Sequence, residues 1–104
     1  MSRNIRVIKG PLPSVTKMII QRLHKEDQDI LEGKYYNAIA LINSTIPNIY
    51  YYADLAQKAG QVHAAILYGT CPQHITTLAL FGEMAAVNTA VRSIEIEEEK
   101  SYKK

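Results

Sequence analysis

The chain of 104 residues contains a single cysteine, Cys71. One cysteine excludes an intrachain disulfide framework and fits a reducing compartment. Long apolar runs are missing as well: none approaches the roughly 20 residues of a membrane helix. The start, M-S-R-N-I-R-V, lacks the continuous apolar segment of a secretory signal, so a cytoplasmic protein without a membrane partner is expected. Net charge is slight, +2 with the histidines neutral, which is too little to imply nucleic acid. The first 25 residues are basic, and the end, E-I-E-E-E-K-S-Y-K-K, turns from acidic to basic. Also absent are the glycine patterns that cradle phosphates, an H-E-x-x-H zinc motif and a serine set in a nucleophile elbow. There is no tandem repeat and no low-complexity segment.

What the chain does have is an ordinary globular composition, 47% hydrophobic and 21% charged, on a length that supports one hydrophobic core. A single domain over residues 1–104 is expected. In N-I-R-V-I-K, Ile5 and Val7 share one face, which predicts a short strand stopped by G-P-L-P. Ser14 reads as a helix N-cap, with Val15, Met18, Ile19 and Leu23 at helical spacing to about His24. The polar stretch Lys25 to Lys34 reads as a loop or a fraying continuation of that helix. Y-Y-N-A-I-A-L-I-N is a continuous apolar run, the pattern of a strand buried on both faces or at a subunit contact. A second helix starts at S-T-I-P-N-I, where Pro47 occupies the first turn without sacrificing a hydrogen bond. It ends at Gly60, expected as a left-handed cap. V-H-A-A-I-L-Y and I-T-T-L-A-L-F form a hairpin across G-T-C-P-Q-H. A last helix carries the stripe Met84, Val87, Val91 and Ile94, and residues 93–104 form a packed, extended or disordered tail. The expected fold class is α/β, an α+β sandwich with about four mainly antiparallel strands and the helices largely on one face.

Few constellations carry chemistry. Cys71 and His74 lie three apart in a Gly/Pro turn, and a nearby imidazolium would lower the thiol pKa; an ordinary solvent-exposed thiol is the favoured reading of the residues. His63 sits in a strand pattern and reads as a packed or interface histidine rather than a ligand. Tyr50, Tyr51 and Tyr52 are consecutive on a helix, so they cannot all face one core, which favours an oligomer.

From Ala38 the run A-I-A-L-I-N-S-T-I-P-N-I-Y-Y-Y-A-D-L-A-Q-K-A-G-Q-V-H-A-A-I-L-Y, followed after a turn by L-A-L-F-G-E-M-A-A-V-N-T-A-V, resembles the bacterial microcompartment (BMC) shell domain. The similarity covers residues 38 to 92. Its most specific pieces are A-D-L-A-Q-K-A-G-Q-V, similar to the family's A-D-x-x-x-K-x-A-x-V helix end, and F-G-E-M-A-A-V, similar to its G-D-V-x-A-V helix start. The segment resembling N-I-R-V-I-K-G-P-L-P-S-V-T-K-M-I follows the last helix in the usual domain and here precedes it. That is the order of circularly permuted shell proteins, such as those of ethanolamine- and propanediol-utilising compartments.

The resemblance implies a structural role without catalysis: a homohexameric tile joined edge to edge with other shell proteins around encapsulated enzymes. Lys58 matches the family's lysine at the tile edge. Gly69, Thr70, Cys71, Pro72, Gln73 and His74 fall where shell proteins place the loop lining the central pore. Their G-x-C-P-Q stretch resembles the pore motif of permuted shell proteins from glycyl-radical compartments, some of which bind an iron-sulfur cluster (4Fe-4S) through this cysteine. Two other readings of the residues stay open: a trimeric regulator similar to the PII type, and a thiol-dependent redox enzyme using Cys71 and His74.

Overall fold

Strand β2 (Ala38–Thr45) runs through the middle of a four-stranded antiparallel sheet, in a computed structural model that describes residues 4–68 and 75–102. The strand order is β1-β2-β4-β3, with β1 Ile5–Lys9, β3 His63–Leu67 and β4 Ile75–Gly82. The expected hairpin is present: β3 pairs antiparallel with β4, from His63 opposite Phe81 to Leu67 opposite Thr77. Because side chains alternate across a strand, Ala38, Ala40 and Ile42 face one side of the sheet and Ile39 the other; all four are buried. The continuous apolar run of β2 is thus the signature of a strand covered on both faces.

The two long helices share one face. α3 (Ile46–Ala59) turns Ile49, Tyr52 and Ala56 inward, and α4 (Met84–Tyr102) presents Val87, Ala90, Val91 and Ile94. On the opposite face lie two short helices, α1 (Pro13–Ile20) and α2 (Lys25–Leu31). Ile19, Leu23 and Leu31 pack there on Ile39, Ala79 and Phe81. Pro47 falls in the first turn of α3, as the sequence predicts.

Four local expectations are corrected. Ser14 is not the cap of α1: Leu12 holds that position, and Pro13 begins the helix with its fixed φ. Lys25 to Leu31 is a helix rather than a loop, with Leu31 fully buried at its end. Gly60 caps α3 in an extended conformation (φ −152°, ψ 165°), not a left-handed one. Its role is steric, since a β-carbon there would lie 2.7 Å from the carbonyl oxygen of Ala86. Finally, residues 93–102 do not form an extended or disordered tail but continue α4. There the Tyr51 hydroxyl donates to the Glu97 carboxylate, which raises the tyrosine pKa above its ordinary value.

Candidate functional site

The sheet has two ends, and the predicted functional positions divide between them. At one end Leu67 closes its pairing with β4, and Thr45 lies opposite Ile75 beside the start of α3. The hairpin connection leaves from this end. Gly69, Thr70, Cys71, Pro72, Gln73 and His74 lie outside the described residues. Their stem is described, however. Thr76 Oγ1 donates to the Leu67 carbonyl at 3.2 Å. The Tyr68 N–H donates to the Arg22 carbonyl at 2.8 Å, in the turn between α1 and α2. The Tyr68 and His24 rings meet edge to face, centroids 4.4 Å apart.

Lys58 is at the other end. α3 rises about 18 Å between Ile46 and Lys58 at 1.5 Å per residue, carrying the lysine to the level of Gly60 and the start of α4. Its Nζ pairs with Asp54 Oδ2 one turn back, at 2.8 Å. The hydrogen bond to that carboxylate, and then its charge, raise the lysine pKa. Both side chains are largely exposed, so the amine remains free to exchange partners. The last turn of a helix also suits a cation, because the unpaired carbonyls there carry partial negative charge.

His63 is a packed residue, as the sequence suggests. Its Nε2 lies 2.9 Å from Asp27 Oδ1, tying β3 to α2. Among the described residues no group of three or more His, Cys, Asp and Glu side chains could hold a metal. The three tyrosines separate as expected: Tyr52 is buried, and Tyr50 and Tyr51 are exposed.

Asn37 is a residue that sequence reasoning missed. Its Oδ1 accepts from the Met84 N–H and its Nδ2 donates to Glu83 Oε2, both at 2.8 Å. Its backbone carbonyl accepts from the Gly10 N–H. One side chain therefore caps α4 from 47 positions away, meeting a donor that the first helical turn leaves unsatisfied. Capping patterns are sought next to the helix they cap, so no local signal points to it.

No protein-family model matches the sequence, and no curated protein does. Solved structures do. The GrpU microcompartment shell protein from Pectobacterium wasabiae is 38% identical, over 88% of this chain and 98% of its own, with a TM-score of 0.72. The GrpU protein from Clostridiales bacterium 1_7_47FAA is 24% identical, over 98% of this chain and 96% of its own, with a TM-score of 0.66. A fused permuted hexameric shell protein from the RMM microcompartment shares the fold at 19% identity and a TM-score of 0.64. This chain spans 88% of its own length and 43% of that protein.

With that identity over nearly the whole of both chains, the protein belongs to the bacterial microcompartment shell proteins. Its fold is a BMC domain in permuted order, with β1 and α1 ahead of the central strand. A structural shell role follows from the family, and the PII-like regulator loses its ground. Among the described residues no helix is long and apolar enough to cross a membrane.

Proposed function

We propose that the chain is the protomer of a homohexameric shell tile whose central pore is lined by residues 69–74 and whose outer edge carries Lys58. The observation that carries this reading is the 38% identity with a microcompartment shell protein along 98% of that protein. Geometry lends support: the stem of the 69–74 segment and Lys58 stand at opposite ends of the domain, as a pore and a perimeter must. Six-fold closure uses head-to-tail contacts between unlike surfaces, and exposed Tyr50 and Tyr51 are the kind of side chain such contacts bury. The tile separates spaces and governs passage. The polar groups of Thr70 and Gln73, with the backbone amides around them, would select what crosses, by the same rules of width and hydrogen bonding that govern other pores.

The assembly test is direct. Wild type is expected to have the mass of a hexamer and to form sheets on electron micrographs. Lys58→Asp should keep the hexamer and lose the sheets, because it removes the lysine stem from the tile edge and sets a second carboxylate one turn from Asp54 in place of the ion pair. A monomer or trimer in both proteins would overturn the reading.

A ring of six chains would bring six Cys71 thiols to one axis. Crowded soft thiolates suit iron-sulfur clusters or zinc, not magnesium or calcium, and we propose an iron-sulfur cluster held by Cys71. The donor chemistry fits, with two thiols to spare beyond the four a cluster takes, so binding breaks the ring's symmetry. Such a group supplies one-electron transfer when bound; the chain's part is to hold it and to close the opening around it. Anaerobic reconstitution with iron and sulfide should give wild type a visible absorption band and bound iron, and Cys71→Ser neither. Equal uptake by the two proteins would rule out ligation by Cys71.

A further inference from the structure

The outer face of α3 changes character along its length. Tyr50 and Tyr51 are exposed near its start. From Ala53 to Gln61 the exposed side chains are Asp54, Gln57, Lys58 and Gln61, all polar. A contact made by this half of the helix is not driven by apolar burial and depends on charge and hydrogen bonding. Gln57 is engaged within its own helix, its Nε2 donating to the Ala53 carbonyl at 3.1 Å. Asp54 and Lys58 are the only charged residues of the stretch. They stand one turn apart, about 6 Å along the axis, and join through Oδ2 and Nζ at 2.8 Å. Across the helix seam, the carboxylate of Glu97 is held by Tyr51 and Lys100 instead. Asp54 is thus the one carboxylate, among the described residues, that Lys58 pairs with.

Identical six-fold tiles joined edge to edge meet across two-fold axes, and in a two-fold contact residue i meets j while j meets i. A lysine alone on such an axis meets the lysine of the next tile, and like charges repel. A carboxylate one turn back removes the obstacle, because the two-fold reverses the order of charges: cation then anion on one side faces anion then cation on the other. We propose that Asp54 and Lys58 form a self-complementary charge pair at the tile edge, each ammonium shared between its own carboxylate and Asp54 of a second copy of the chain in the facing hexamer. This contact rests on the reading of Lys58 as an edge residue, and adds that the attraction across the edge is ionic and that Asp54 supplies half of it. Both side chains are largely exposed, within reach of a neighbour. A single exposed pair is weak. A tile entering a sheet closes several edges at once, however, so turning attraction into repulsion at each should raise the protein concentration needed for sheets by at least about tenfold.

The test uses the full chain, with Asp54→Lys and Lys58→Asp made separately and in one chain. Hexamer mass and melting temperature are measured first and should match wild type, because both positions are exposed. Sheets are then followed by pelleting and electron microscopy. Asp54→Lys leaves only ammonium groups at the edge and Lys58→Asp only carboxylates, so each alone should stay dispersed at concentrations where wild type assembles. An equimolar mixture of the two hexamers should form sheets, and so should the charge-swapped double variant alone. Asp54→Asn, which keeps the shape and removes the charge, should fall between wild type and Asp54→Lys. A mixture that stays as dispersed as its components would overturn the ionic contact. If Lys58→Asp fails to assemble while Asp54→Lys forms sheets like wild type, the edge position of Lys58 stands and the part given to Asp54 falls. If every variant assembles like wild type, or wild-type hexamers form no sheets, the edge reading and the charge pair fall together.

Discussion

Phe81→Ala is expected to destabilise the folded chain by about 3–5 kcal/mol, the range for deleting a large aromatic side chain from a core. Phe81 is 1% exposed. It lies on β4 opposite Ile39 of β2 and His63 of β3, so sheet backbone flanks it on both sides and cannot collapse into the space it leaves. Above it, the Tyr36 ring stands edge to face at 5.5 Å, and burial raises the pKa of that tyrosine. Leu31 of α2, fully buried, belongs to the same cluster. In a domain whose total stability is typically about 5–15 kcal/mol, such a loss lowers the melting temperature by at least about 12 °C for a chain of this size. Thermal unfolding of wild type, Phe81→Leu and Phe81→Ala at one protein concentration checks it. The leucine variant should fall between the other two, and an alanine variant melting within a few degrees of wild type would show that α1 and α2 can repack onto the sheet.

Gly60→Ala is expected to cost about 1–3 kcal/mol through overpacking. Its φ of −152° is extended backbone that alanine adopts freely, so the whole penalty is steric. The added carbon would sit 2.7 Å from the Ala86 carbonyl oxygen, and Ala86 cannot yield easily, because the first turn of α4 is held by Asn37 through Met84 and Glu83. The end of α3 must therefore move away from α4. Gly33→Ala is the useful control. Its φ of +80° leaves a β-carbon in open space, so its cost is conformational, on the order of 1 kcal/mol, and it leaves the α3–α4 contact alone. Urea unfolding of the two variants distinguishes the causes, since only Gly60→Ala should also shift the environment of Lys58, two residues away. Equal midpoints for wild type and Gly60→Ala would mean that the α3–α4 junction is looser than the 2.7 Å approach implies.

Much of this architecture is legible in the residues themselves. The hairpin of β3 and β4, the proline at the start of α3, and the stripe Val87, Val91, Ile94 on α4 all follow from strand or helix periodicity, and all are found. What escaped depends on distant partners. In α2, K-E-D-Q-D-I-L has no amphipathic stripe of its own; the helix exists because Leu31 enters the core, Gln28 binds back to Leu23 and Asp27 meets His63 from β3. Gly60 was legible as a helix end, but its reason for being glycine lies on another helix. Asn37 caps α4 across 47 positions, and no local pattern announces that. For the candidate site, the position of Lys58 on an exposed helix end follows from sequence. The tie between Tyr68 and the α1–α2 turn is a tertiary contact and does not.

The two helical layers that enclose the sheet are unequal. α3 and α4 have 14 and 19 residues, whereas α1 and α2 have eight and seven, lengths at which a helix holds only while it remains packed. Partial unfolding in the native state should accordingly begin in the thin layer and leave β2, β4 and the long helices intact, as cooperative units within one domain open at different free energies. Tyr68 is fastened to that thin layer. The end of β3 should therefore lose its bond to Arg22 at the first opening of the thin layer, while the pairing of His63 to Leu67 with β4 persists.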